Sequence, residues 1–164
     1  MDGDKKTLTE SLKLLADVER CAAEIYSHFA AVLKGQDESR LWRELAAEEV
    51  THAEFFERQI ELLKDGHGAF MLTGTTQKEL DRLLNQVQGL KQAATKPGIT
   101  MTLAISIAYT LETTVAEGGV LKGLGVTAPE LKNSFNAILI DTEKHTQRIT
   151  GLMRNHVKQK AGQS

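Results

Sequence analysis

Four stretches of this chain repeat apolar residues at alternating steps of three and four, and in each the repeat runs through a polar residue at mid-length. The clearest lies between Leu41 and Leu63, where Leu41, Leu45, Phe56 and Leu63 mark one face of a helix. Continued through the middle, that spacing lands on Glu49 and His52. Steps of three and four put side chains on one side of an α-helix. A carboxylate and an imidazole therefore hold positions that the pattern assigns to the core. An isolated ion there is costly unless it is paired, hydrogen-bonded or bound to metal.

The other three stretches behave alike. A first helix is expected from about Thr7 to Leu33, capped by Thr7 or Thr9 and stopped by Gly35. Its stripe reads Leu8, Leu12, Leu15, Glu19, Ala22, Tyr26, Phe29 and Leu33. The second helix starts near Asp37 or Ser39 and stops at Asp65-Gly66-His67-Gly68. A third runs from about Thr100 to about Val120 with Ile105, Ala108, Glu112 and Val115 on one stripe; Gly118, Gly119, Gly123 and Gly125 break it up. Thr127-Ala-Pro-Glu opens a fourth, with Pro129 in its first turn. Its stripe holds Leu131, Phe135, Ile138, Thr142, His145, Ile149 and Leu152. No strand is expected.

Between the second and third long helices lies the segment Gly66 to Ile99, with a short helix from Gln77 to Ala94 ending at Lys96-Pro97-Gly98. A hairpin needs far less chain. A connection of this length lets the third helix run parallel to the second. The expected fold is all-α, an antiparallel four-helix bundle with a long crossover between helices 2 and 3. It forms a single domain over residues 1–164, with helical pairs at about 7–65 and 100–158 and the crossover at about 66–99. A length of 164 residues is enough for one domain with a real core.

Composition narrows the function. The formal net charge of −2 makes no electrostatic case for nucleic acid or an anionic membrane. The single Cys21 excludes an internal disulfide and any Cys-x-x-Cys metal knuckle. Met1-Asp-Gly-Asp-Lys-Lys has no apolar run behind it, so no signal peptide is expected. The most apolar stretch, Ile99 to Leu111, falls short of the roughly 20 residues that span a bilayer. A soluble, cytoplasmic protein is the expectation.

The two helical pairs also resemble copies of each other. Glu19 and Glu49 stand 30 positions apart, as do Glu112 and Thr142. A constant shift of 93 carries Glu19 onto Glu112, Glu49 onto Thr142 and His52 onto His145, and takes Leu45 to Ile138 and Ile60 to Met153. In a bundle the four stripes face one another, so Glu19, Glu49, His52, Glu112 and His145 should converge at mid-height. One Glu from each of two helices, with Glu-x-x-His from the other two, is the ligand pattern of di-iron and di-manganese carboxylate sites. Carboxylate with imidazole suits iron or manganese, with zinc also open; thiolate-rich sites suit zinc or iron–sulfur.

These residues resemble the rubrerythrin/ferritin-like di-iron carboxylate superfamily, and most of all its erythrin-type members without a rubredoxin domain. The resemblance rests on Glu19 with Tyr26 seven positions on, Glu48-Glu49-Val-Thr-His52-Ala-Glu, Glu112 and His145, and covers roughly Thr7 to Lys158. It implies a ferritin-like bundle holding two irons and, in intact members, oxidoreductase chemistry on oxygen or peroxide.

The chain departs from that pattern twice. Thr142 stands where the second Glu-x-x-His needs its Glu. Asp141 is the nearest substitute ligand, but it is shorter and about 100° around the helix. Two unequal metal positions follow, the weaker one beside Thr142. Rubrerythrins also carry a Cys-x-x-Cys module for electrons, which Cys21 cannot form, so an external electron donor is required if the protein is redox-active.

The remaining polar residues have plainer readings. Glu48 and Glu54 either support ligands from behind or face water, and Glu117 is open. Tyr26 either hydrogen-bonds a ligand or packs. Cys21 is a small buried or half-buried side chain. His28, His67 and His156 are read as non-ligands, since His156 lies about 16 Å along its helix from His145. The segment from Lys158 to Ser164 reads as a frayed tail. Three functions remain: a di-iron oxidoreductase acting on peroxide, oxygen or ferrous iron; an iron-binding or storage protein; and a helical interaction module with a degenerate metal site. A homodimer is an open expectation, with no nucleic-acid or membrane partner.

Overall fold

The computed structural model describes residues 2–33, 36–74, 77–117 and 121–162. Along these, helix α1 spans Asp2–Val32 and α2 Gln36–Lys64; strand β1 covers Phe70–Leu72 and α3 Gln77–Ala94. Helix α4 spans Met101–Glu117, a 3₁₀ turn covers Leu121–Gly123, β2 Leu124–Val126 and α5 Pro129–Ala161. The protein is therefore mostly helical. Among the described residues no helix is long and apolar enough to cross a membrane.

The apolar stripes explain how these helices pack. On α1 every stripe residue from Leu8 to Phe29 is buried, as is Leu33 just beyond its end, and on α4 so are Ile105, Ala108, Glu112 and Val115. Helix α1 packs along α2, α4 packs along α5, and α2 touches α5. The ends of the helices follow backbone chemistry. Gly66 adopts φ +85° just after α2, a conformation that glycine takes without strain. Gly98, at φ +81°, turns the chain between α3 and α4. Pro129 begins α5, where its missing N–H has no partner to lose.

Helix α1 is buried on two sides. Besides the stripe, Ser11, Val18, Cys21 and Ile25 are covered, because α3 lies against them. Leu80, Leu83, Val87 and Ala94 form the buried face of α3. Cys21 is buried, its Sγ 3.8 Å from the carbonyl oxygen of Val87. An ion pair between Lys91 and Glu24 joins the same two helices.

Several sequence expectations are corrected here. A two-stranded antiparallel ribbon is present, pairing Phe70 with Val126 and Leu72 with Leu124. Three-residue strands are too short for a period of two to register, and their pairing is non-local. The ribbon is anchored by rings: Phe70 lies 5.3 Å from Phe135 of α5 and 6.0 Å from Phe55 of α2, centroid to centroid. Thr7 and Thr9 sit inside α1 rather than at its cap. The Thr7 carbonyl accepts a hydrogen bond from the Ser11 hydroxyl at 2.9 Å, one turn on. A capping residue favours a helix start without compelling it. Helix α5 continues to Ala161, so most of the expected tail is helical. Gly35, Gly118, Gly119 and Val120, read as helix stops or ends, lie outside the described residues.

Candidate metal centre

Five polar side chains meet inside the helices. Glu19 comes from α1, Glu49 and His52 from α2, Glu112 from α4 and His145 from α5, and none is more than 4% exposed. All five stripe positions identified from the sequence are thus buried and brought together. They form two overlapping groups, Glu19–Glu49–His52 and Glu49–Glu112–His145, each with its donor atoms within 4.8 Å of one another. Glu49 belongs to both.

The geometry around Glu49 shows how it is shared. Its Oε2 accepts from His52 Nδ1 at 3.1 Å and its Oε1 from His145 Nδ1 at 2.9 Å. The two imidazole rings stack 5.7 Å apart at 22°. Glu112 Oε1 lies 3.7 Å from His145 Nδ1 and also accepts from the Tyr26 hydroxyl. Both histidines therefore turn Nδ1 inward and Nε2 outward.

Each outward nitrogen faces a carboxylate. His145 Nε2 donates to Glu48 Oε2 at 2.8 Å, and Arg148 donates to the same oxygen at 2.7 Å while holding Glu44 at 2.8 Å. His52 Nε2 lies 3.8 Å from Asp141 Oδ2. The shift of 93 that relates the ligands also carries Glu48 onto Asp141. Asp141 belongs to neither of the two groups. The 100° rotation from Thr142 takes it to the outer side of His52, where it is 35% exposed and paired with Lys144 at 2.9 Å. A carboxylate behind a ligating imidazole fixes the tautomer and raises ligand basicity.

Thr142 is buried on the core face, as the repeat requires. Its hydroxyl donates to the Ile138 carbonyl at 3.0 Å, within its own helix. It supplies no charge to the cluster. Tyr26 donates a hydrogen bond to Glu112 rather than packing alone. Glu54 is exposed, and His156 bonds Thr102 at 2.9 Å, away from the cluster. Arg148 was not singled out from the sequence. The available signal for the outer carboxylates was the repeat shift, which carries Glu48 onto Asp141 when extended beyond Glu19, Glu49 and His52.

Three carboxyl groups buried close together perturb one another. Burial and the charge of Glu49 push the Glu19 carboxyl well above its usual pKa, and Glu19 shares a hydrogen bond with Glu49. Burial also raises Glu112. Burial opposes ionisation of Glu49, but hydrogen bonds from His145 and His52 outweigh it and hold the carboxyl well below the usual range. For His145, burial disfavours the cation, yet Glu112 and Glu49 hold its pKa up at about 10. The cluster thus balances its own charge with protons, which divalent cations can replace.

The donor set fits such cations. Carboxylate oxygens and imidazole nitrogens suit iron, manganese or zinc. Two groups sharing one carboxylate suit a pair of ions. Comparison with protein-family models, with curated proteins and with solved structures gave no match for this chain.

Proposed function

We propose that this chain is a ferritin-like di-iron carboxylate protein, an oxidoreductase that acts on peroxide, oxygen or ferrous iron. In this reading α1, α2, α4 and α5 form the four-helix bundle, and the segment from Asp65 to Thr100 is the crossover. The observation that carries it is the sharing of Glu49 between two buried Glu/His groups. Glu19 and His52 would hold one iron and Glu112 and His145 the other, with Glu49 available to both. Iron, when bound, supplies the electron transfer that the side chains cannot.

The residues have distinct roles. Glu49 offsets charge at both positions. Glu48 and Asp141 keep Nδ1 of each imidazole directed inward. Tyr26 holds a Glu112 oxygen and can move a proton at that atom. The apolar walls exclude water. Since Glu49 is shared and Thr142 is its counterpart in the repeat, the missing carboxylate corresponds to a second joining group. Cys21 is the only cysteine in this sequence, so it contains no Cys-x-x-Cys module to deliver electrons.

The test is metal analysis of the purified protein with Glu49→Ala alongside, followed by peroxide consumption by the reduced protein. About two irons, lost in the variant, with stoichiometric peroxide consumption, are expected. Bound iron without consumption favours an iron-binding or storage protein. No bound metal rejects the centre. It also favours a helical interaction module with a degenerate site, the reading supported by the Thr142 hydroxyl being bonded to its own helix.

A further inference from the structure

A guanidinium reaches across the helix interface behind the centre, and it stands behind one of the two histidines. Arg148 follows His145 by one turn on α5 and extends to α2. Its Nη1 donates at 2.7 Å to Glu48 Oε2, the oxygen that accepts from His145 Nε2 at 2.8 Å. Its Nη2 donates at 2.8 Å to Oε2 of Glu44, one turn before Glu48. The other oxygen of Glu44 lies 3.2 Å from Arg40 Nε. A planar guanidinium fixes the directions of its donors. The fork therefore sets where the Glu48 carboxylate stands, and that carboxylate sets the His145 ring. One carboxylate oxygen has lone pairs for both donors, so Arg148 holds Glu48 without displacing Nε2.

The repeat treats the other histidine differently. The shift of 93 carries Phe55 onto Arg148. Phe55 packs its ring against Phe56, Phe70 and Phe135. Asp141, the carboxylate behind His52, pairs instead with Lys144 of its own helix at 2.9 Å and stands 3.8 Å from Nε2. An ammonium on a flexible stem imposes no such direction. Energetics decide what the fork is for. Arg148, Glu44 and Glu48 are all partly exposed. Ion pairs in contact with water add little to stability. Without Arg148, Glu48 is free to leave the imidazole for solvent. Direction, rather than stability, is what the fork supplies.

We infer that Arg148 is a positioning residue: through Glu48 it holds the His145 imidazole with Nδ1 towards Glu49 and Glu112, and so makes one of the two metal positions better ordered than the other. The inference rests on the paired-metal reading of the centre.

The test uses the full chain with isotope-labelled histidine, metal-free and with cobalt(II) as the probe. Magnetic resonance follows the Nε2–H proton of each buried histidine, and cobalt titration follows affinity. Glu48→Gln identifies the His145 signal and Asp141→Asn the His52 signal. Arg148→Ala is expected to speed solvent exchange of the His145 proton severalfold and to leave the His52 proton unchanged. It is also expected to weaken one cobalt by up to about 10-fold, the low end for groups behind a metal ligand. Arg148→Lys, a cation without the fork, is expected to restore part of both effects. Arg20→Ala removes an exposed guanidinium fork of the same kind, from α1 to Glu57 of α2, and is expected to leave both proton signals unchanged. Circular dichroism checks the folding of each variant. Wild-type cobalt binding with an unchanged His145 proton in Arg148→Ala would overturn the inference and leave the metal centre standing. So would equal changes at both histidines, or full rescue by Arg148→Lys, which would reduce the role to charge. No cobalt bound by the unaltered protein would overturn both.

Discussion

Replacing Glu49 by glutamine should do more damage to metal binding than the same change at Glu19 or Glu112. Glutamine keeps the shape of the side chain and removes its charge. Glu49 accepts from both imidazoles, at 3.1 and 2.9 Å, and belongs to both ligand groups, whereas Glu19 and Glu112 each belong to one. Removing one supporting group at a metal site commonly costs about 10- to 100-fold in affinity, and a shared ligand incurs that loss at each position. Glu49→Gln should therefore weaken both metals by at least about 10-fold each, while Glu19→Gln and Glu112→Gln each weaken one. The metal-free protein should also lose stability. His145 keeps only Glu112, at 3.7 Å, as an inward charged partner. Breaking a buried charge pair costs about 3–5 kcal/mol. The amide oxygen still accepts a hydrogen bond and His145 can release its proton, so a loss at or below about 3 kcal/mol is expected. Manganese or anaerobic iron titration by calorimetry gives the first quantity, and urea denaturation of the metal-free protein the second. Equal losses of a single metal in all three variants would refute the shared role of Glu49.

Three further outcomes follow from the same geometry. Glu48→Gln should weaken metal binding by about 10- to 100-fold, and Asp141→Asn by less, because Asp141 stands 3.8 Å from its imidazole and Glu48 2.8 Å; calorimetric titration ranks them. Metal-free protein should lose stability as pH rises from about 6.5 to about 10. The His145 pKa is raised to about 10 in the fold, so its stabilising contribution is complete below the unfolded value and disappears as pH passes the folded one; denaturation across that range, flattened in His145→Gln, checks it. Phe135→Ala should cost about 3–5 kcal/mol, the usual range for a buried aromatic, and should loosen the ribbon that its ring holds 5.3 Å from Phe70; hydrogen exchange at Phe70–Leu72 reports the second effect.

The positions of the five buried polar residues were readable from the chain because helical periodicity is a local property. Leu45 and Phe56 on either side of Glu49 and His52 are enough to say which way those side chains face, whatever they face. The repeat extended this to Glu112 and His145, and it identified Thr142 as the odd member. The short helix Gln77–Ala94 was readable for the same reason.

Other features belong to the packing. That Glu49 lies between both histidines depends on the distance and rotation of α2 against α5, which no spacing within either helix records. The outer carboxylates Glu48 and Asp141 and the guanidinium of Arg148 find their partners across a helix interface. The covering of α1 by α3, and the pairing of Phe70 with Val126, join residues far apart in the chain. Thr142 shows the division most plainly. Its place on the core face follows from residue spacing, but the direction of its hydroxyl follows from what packs around it.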